Sequence, residues 1–213
     1  MLRTPAESDA RATETSIPAT SHTSVLFDRL RAETALAHRD LEARIDLVDE
    51  SLDVPRYVQL LRNFRSAVAA YEAVAGPALP MALRGMFEAR RKTALLDADL
   101  LHFGTVAPSP DLADIGRVIG HDAHAAIGAM YVFEGSTLGG AVVARHLEHQ
   151  LGLCTLQGRR YFTPYPGRTG AMWREFKECV DDLACDDPAA CDAIVAAAGA
   201  TFAWLARVLP RNS

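Results

Sequence analysis

Between Pro110 and Pro164 the chain has no proline, and five of its fourteen glycines fall between Gly120 and Gly140. Together these two facts constrain the fold more than any other feature. The lack of proline permits a long helix over about 121–151, closed by Gly152, with a short one around 111–119 before it. Ile127, Tyr131, Leu138, Val142, Val143 and Leu147 recur through it at helical spacing. Gly128, Gly135, Gly139 and Gly140 interrupt that pattern. A glycine inside a helix costs about 1 kcal/mol relative to alanine, so four cost on the order of 4 kcal/mol. A sequence that accepts this needs either a tightly packed neighbouring helix or a bend that lays bare backbone against a flat ligand. The residues alone leave both readings open.

The rest of the chain is also patterned as helix. Leu26, Leu30, Ala37, Leu41 and Ile45 mark a helix from Ser24. Asp53 and Pro55 announce a second, with Tyr57, Leu61, Phe64, Val68 and Tyr71 on one face, ended by Gly76, Pro77 and Pro80. A third stretch covers about 81–102. Residues 153–168 read as an irregular connection, and Thr169 caps a helix to about Ala184. Asp186, Asp187 and Pro188 open an Ala-rich helix ending before Pro210. Alternating β patterns are nearly absent, so the expected fold is all-α, six or seven helices in one domain over 24–213. Residues 1–23, rich in Ser, Thr, Ala and Pro, read as a disordered tail; Glu7, Asp9 and Glu14 argue against a transit peptide.

Composition excludes several classes. Of the 213 residues 49% are hydrophobic and 23% charged, which suits a globular protein and not a disordered one. A formal net charge of -5 makes a poor general nucleic-acid binder. No apolar run approaches the ~18 residues that span a bilayer. Cys154, Cys179, Cys185 and Cys191 follow no disulfide or metal spacing and are expected to be reduced and structural. No basic-then-apolar leader pattern opens the chain, and the expected location is the cytoplasm.

His38 has unusual helical neighbours: Arg31 two turns back, Thr34 one turn back, Leu41 and Glu42 one turn on. Glu42 at i+4 is placed to accept from one imidazole nitrogen, which leaves the other as an acceptor, the form a metal-ligating histidine needs. Arg31 on the same side suits an anionic group. Spacing alone equally describes a surface histidine with an ordinary i,i+4 partner. Around the glycines, EGSTLGG lacks the lysine of a phosphate loop, and Glu134 and Leu138 replace the glycines of a nucleophile elbow around Ser136. The pairs His121/His124 and His146/His149 find no matching carboxylates and read as solvated surface; Trp173 and Trp204 read as core.

LRAETALAHRDLE (30–42) and GAMYVFEGSTLGGAVVARHL (128–147) together resemble the heme oxygenase superfamily, closest to the bacterial branch associated with bacteriophytochromes. The resemblance spans about 24–209 and implies an all-α domain with heme between a proximal helix and a glycine-rich distal one. It implies His38 as the iron ligand, Glu42 as its hydrogen-bond partner and Arg31 as a propionate contact. Thr34 and Tyr131 fall in the same implied heme site. It implies Gly135, Gly139 and Gly140 as the glycines of the kinked distal helix. WREFKECVDDL (173–183) resembles a helix with further propionate contacts, for which Arg174 and Lys177 are the candidates. Where many members carry an Asp after the first distal glycine, this chain has Ser136.

The implied activity is oxidative cleavage of heme to biliverdin, CO and iron, with heme as substrate and cofactor, O2 as oxidant and electrons from a ferredoxin or flavin reductase. The implied physiological partner is a bacteriophytochrome that takes the pigment. A neutral imidazole ligand gives less electron push than a thiolate, and a distal wall of backbone offers no strong acid to break the O–O bond early. A heme-binding protein without turnover is the alternative. A di-iron oxygenase would need two Glu/His sets on facing helices, which cannot be assembled here. A thiamine-salvage hydrolase would need a placed nucleophilic Cys, and all four cysteines lie after residue 153.

Overall fold

The computed structural model describes residues 25–184 and 187–209. The expected tail, Cys185, Asp186 and the stop at Pro210 lie outside the described residues. Among these residues there are nine α-helices and no strand: α1 Val25–Ile45, α2 Val54–Ala78, α3 Met81–Ala89, α4 Thr93–His102, α5 Ala113–Ile119, α6 Ala123–Gly135, α7 Gly140–Leu151, α8 Thr169–Ala184 and α9 Pro188–Val208. The all-α reading holds, but two expected long helices are each broken in two.

The first break follows Ala89. Apolar periodicity runs across it, so nothing local marks it. The cause is tertiary: Glu72 of α2, 4% exposed, accepts from the backbone N–H groups of Lys92 and Thr93 and from Thr93 Oγ1 at 2.7 Å. A carboxylate from another helix thus caps α4, whose own N-cap residue Lys92 supplies no side-chain cap. The second break is at the glycines. A 3-10 turn, Ser136–Leu138, joins α6 to α7 with a bend of 47°. Ser136 Oγ donates to the Phe133 carbonyl (2.9 Å) and Thr137 Oγ1 to that of Glu134 (2.7 Å), bonds that compete with the helical ladder. Gly152 closes α7 in the left-handed conformation (φ 68°), as its position predicts. Asp53 and Asp187 cap α2 and α9, each ahead of a proline in the first turn.

α9 lies at the centre and packs against α1, α5 and α6. It corrects one expectation: over 21 residues, with a mean hydropathy of 1.6, it is long and apolar enough to cross a membrane. Half of it is buried inside the protein, where its alanines let neighbours come close. At Gly128 a Cβ would overlap the Ile194 carbonyl oxygen and lie 2.8 Å from Ala197 Cβ and 2.9 Å from Ala198 N. The α6 and α9 backbones meet there, and only glycine fits.

The connection 153–168 is pinned from both sides. Tyr57 donates to the Gly158 carbonyl at 2.6 Å. Asp99 of α4, fully buried, accepts from the Arg160 and Tyr161 N–H groups at 2.8 and 2.9 Å. Burial raises its carboxyl above the usual range, and these backbone bonds oppose the rise. The 3-10 turn Arg160–Phe162 that results presents the Phe162 carbonyl to Gly140, where a Cβ would overlap it.

Candidate functional site

A cavity of about 1100 Å³ separates α1 from the bent α6–α7 pair. That is just above the roughly 300–1,000 Å³ usual for small-molecule sites. The sequence produces its first wall through helical period. Phe27, Arg31, Thr34, His38, Glu42 and Ile45 fall three or four residues apart on α1 and all line the cavity. The second wall is Tyr131, Gly135, Ser136, Gly139, Val142 and Val143, with Phe202 and Leu205 of α9, Trp173 and Lys177 of α8, and Phe64 and Tyr161 completing the lining.

On the α1 wall, His38 is half exposed, and its Nε2 lies 3.3 Å from Glu42 Oε1. Its ring packs 5.7 Å from that of Phe202. An imidazole engaged through one nitrogen keeps the other as an acceptor. Thr34 is buried and spends its hydroxyl proton on the Leu30 carbonyl of its own helix (2.6 Å). On the opposite wall burial raises the Tyr131 phenol, and Thr34 and the charge of Arg31 oppose the rise.

On the opposite wall the glycines divide. At Gly139 a Cβ would meet nothing within 4 Å; at Gly135 it would make ordinary contact with Trp173 at 3.7 Å. These two face space. Gly140 lies on the cavity margin but is held by the Phe162 carbonyl. Leu138 and Val142, 50% and 66% exposed, leave apolar surface beside the opening. Arg31, Arg39, Lys92 and Lys177 all line the cavity. Arg174, the other candidate on α8, is exposed and does not.

Several residues were missed or misread from the sequence. Arg39 is an additional lining cation. Trp173, half-buried, packs against the core and also lines the cavity, edge-on to Phe27 at 5.8 Å, while Trp204 is core as expected, 1% exposed. His146 is not simply solvated: its Nε2 is 3.1 Å from the Asp49 carbonyl, and with Gln150, which donates to the Leu52 carbonyl at 3.3 Å, it ties α7 to the loop after α1. Cys154 is exposed rather than packed. The largest omission is Glu134. It is 3% exposed, accepts from Arg90 Nη1 (3.0 Å) and from Lys92 Nζ, and accepts from the Tyr165 hydroxyl at 3.2 Å. Arg90 in turn reaches Glu175 at 2.8 Å. The signal was present: Glu134 is the one Asp, Glu, Lys or Arg between Asp122 and Arg145. This network anchors the residue just before the bend. No group of three or more potential metal-ligating side chains occurs among the described residues.

The model of the family described as heme oxygenase matches residues 24–211. A heme oxygenase of Xanthomonas campestris pv. campestris (strain 8004) is 31% identical over 157 residues, 71% of this chain and 87% of that one. Among solved structures, heme oxygenase from Leptospira interrogans matches with a TM-score of 0.75 at 18% identity, covering 86% of this chain and 98% of that one. Heme oxygenase-1 of the cyanobacterium Synechocystis sp. PCC6803, solved in complex with heme, matches at 0.71 and 17% identity, covering 86% and 90%. The Neisseria meningitidis enzyme, solved with NO and CO bound, matches at 0.66 and 23%, covering 86% and 89%.

Proposed function

Since the chain belongs to the heme oxygenase family, we propose that it binds heme between α1 and the bent α6–α7 pair and cleaves it to biliverdin, CO and iron. The observation that carries this reading is the pairing of walls: His38, oriented by Glu42, on one side, and the open backbone at Gly139 on the other. The residues fit the group. The chamber is large and mostly apolar, and Arg31, Arg39 and Lys177 can meet two carboxylates at its rim. Bound heme supplies the redox-active iron and is itself the molecule cleaved.

The protein's part is binding, orientation and exclusion of competing chemistry. His38 would hold the iron of a bound heme, and its contact with Glu42 would fix the imidazole's tautomer and ring plane. Arg31 and Lys177 would meet the carboxylates of a bound heme and so orient it. Gly135 and Gly139 keep side chains off the facing wall and would leave bare backbone beside a bound heme. In this reading O2 is the oxidant, a cytoplasmic ferredoxin or flavin reductase supplies electrons, and a bacteriophytochrome takes the pigment.

The test is spectroscopic. Adding hemin is expected to give a Soret band, and ascorbate or a reductase under air is expected to replace it with a red-absorbing bile-pigment band. A Soret band that persists would overturn turnover in favour of a non-catalytic heme binder, and no Soret band would overturn both. His38→Ala is expected to alter the heme spectrum; an unchanged spectrum removes His38 as ligand.

A further inference from the structure

Arg90, Arg91 and Lys92 are three consecutive cations at the break between α3 and α4. Such a run ordinarily forms a solvated face, and only Arg91 behaves that way: it is exposed and pairs with Glu72 and Glu88. Arg90 and Lys92 turn inward, 4% and 5% exposed, and each takes one oxygen of Glu134. In a continuous helix two residues so spaced would point roughly 200° apart. The break is what lets both reach the same carboxylate.

Arg90 also reaches a third element. Its Nη1 donates to the Met172 carbonyl at 3.0 Å and its Nη2 to the Glu175 carboxylate at 2.8 Å. Both acceptors are on α8. Trp173 lies between them and Lys177 just beyond, and these two line the cavity. On α6, Glu134 immediately precedes Gly135, where a Cβ would lie 3.7 Å from the Trp173 ring. One guanidinium thus holds the bend and the helix that faces it, close to where they meet. Phe176 and Val180 bury the inner face of α8, but apolar contact is non-directional and does not fix a helix along its own axis. A planar fork with donors in set directions does.

Resting on the heme reading above, we propose that Arg90 is a positioning residue that sets α8 against the bend and so fixes where Lys177 and Trp173 stand in the cavity. Arg90 lies behind the wall and does not line the cavity itself. If α8 shifts, the Lys177 ammonium moves away from a carboxylate at the rim, and the Trp173 ring moves away from Gly135. The affinity that Lys177 contributes therefore depends on Arg90.

The experiment uses the full chain and compares the parent with Arg90→Met, Arg90→Lys, Lys177→Met and the two double variants. Arg90→Lys keeps a cation beside Glu134, and with it the fold, but a single ammonium cannot serve Glu134, Met172 and Glu175 in the directions of the fork. Hemin affinity is read by Soret titration. Tryptophan emission of the apoprotein reports on Trp173, since Trp204, the chain's other tryptophan, is buried. In the parent, Lys177→Met is expected to weaken hemin binding roughly tenfold, the size of one charge-assisted hydrogen bond. In either Arg90 background the same change is expected to weaken it no more than about twofold, the non-additivity of coupled residues. A merely structural role for Arg90 would lower stability and leave the Lys177 effect undiminished. Both Arg90 variants are expected to shift the emission to the red. An undiminished Lys177 effect in Arg90→Lys, no Lys177 effect in the parent, or an unchanged emission in Arg90→Lys would overturn the proposal. A parent protein that gives no Soret band defeats the heme reading itself, whereas unchanged emission defeats the positioning of α8, so the two failures are distinct.

Discussion

Gly128 and Gly140 stand where a methyl group would collide with backbone carbonyls of Ile194 and Phe162, whereas Gly135 and Gly139 stand where a methyl group would meet an indole edge or nothing. The same residue type, within thirteen positions of one segment, meets two different demands. The first pair lets backbones touch: α6 against α9, and the start of α7 against the 3-10 turn that carries Tyr161. The second pair keeps side chains out of the cavity. Packing and ligand space, which the sequence offers as competing explanations, are both correct, each at its own positions. The contrast also divides the bend. Its α6 side is locked by Glu134 among Arg90, Lys92 and Tyr165, while its α7 side presents exposed Leu138 and Val142.

The locked side gives the largest effect. Glu134→Ala leaves Arg90 and Lys92, 4% and 5% exposed, without their shared carboxylate. Breaking a buried ion pair from one side costs about 3–5 kcal/mol. Urea unfolding of the apoprotein is expected to show that loss, and a change below about 1 kcal/mol would mean that the network is incidental to the bend. Next come the packing glycines. Gly128→Ala gains about 1 kcal/mol of helix propensity but forces α6 from α9, and overpacking of this kind costs about 1–3 kcal/mol. Because the obstructing atom is a backbone carbonyl, which cannot rotate away, net destabilisation is expected. A stable Gly128→Ala protein would show that α6 can shift along α9.

The cavity glycines are expected to behave in the reverse way. Gly139→Leu should leave the apoprotein as stable as the parent within about 0.5 kcal/mol, the usual range for changes away from packed features. Its side chain enters the chamber, so hemin affinity or the distribution of bile-pigment isomers should change. Both are read from the same sample, the first by Soret titration and the second by chromatography of the products. Normal pigment formation at the normal rate by Gly139→Leu would refute the steric account of this wall.

What the sequence makes legible here is mostly periodic. The α1 stripe that places Arg31, Thr34, His38 and Glu42 on one wall follows from 3.6 residues per turn, and Asp53–Pro55, Gly152 and Asp187–Pro188 mark ends by local chemistry. What stays hidden is tertiary. The break after Ala89 exists because Glu72 arrives from another helix, and Tyr161 reaches the cavity because Asp99 holds a loop with no pattern of its own. The division among the glycines is hidden for the same reason. No spacing rule reveals that Ile194 and Phe162 oppose two of them.

The smallest effect concerns how the open side is tethered. Beyond the bend, α7 is joined to the loop after α1 through His146 and Gln150, which meet the carbonyls of Asp49 and Leu52. Asp49 organises that loop. Its carboxylate accepts from the Ser51 N–H and hydroxyl at 2.8 and 2.9 Å and from Arg56 at 2.8 Å. These bonds, the Ser51 backbone bond foremost and Arg56 next, hold its carboxyl down at about 2. A folded value below the unfolded one means that the carboxylate supports the loop fully above about pH 4. That support is lost as pH falls toward 2. Amide exchange at Ser51 and at the carboxyl end of α7 is expected to quicken together across that window, while amides in α6 beside Gly128 stay protected. If Asp49 titrates near 4 in the folded protein, the loop is not held by this carboxylate. If α6 loosens along with α7, the two sides of the bend are one cooperative unit, and the contrast between them is confined to side-chain space.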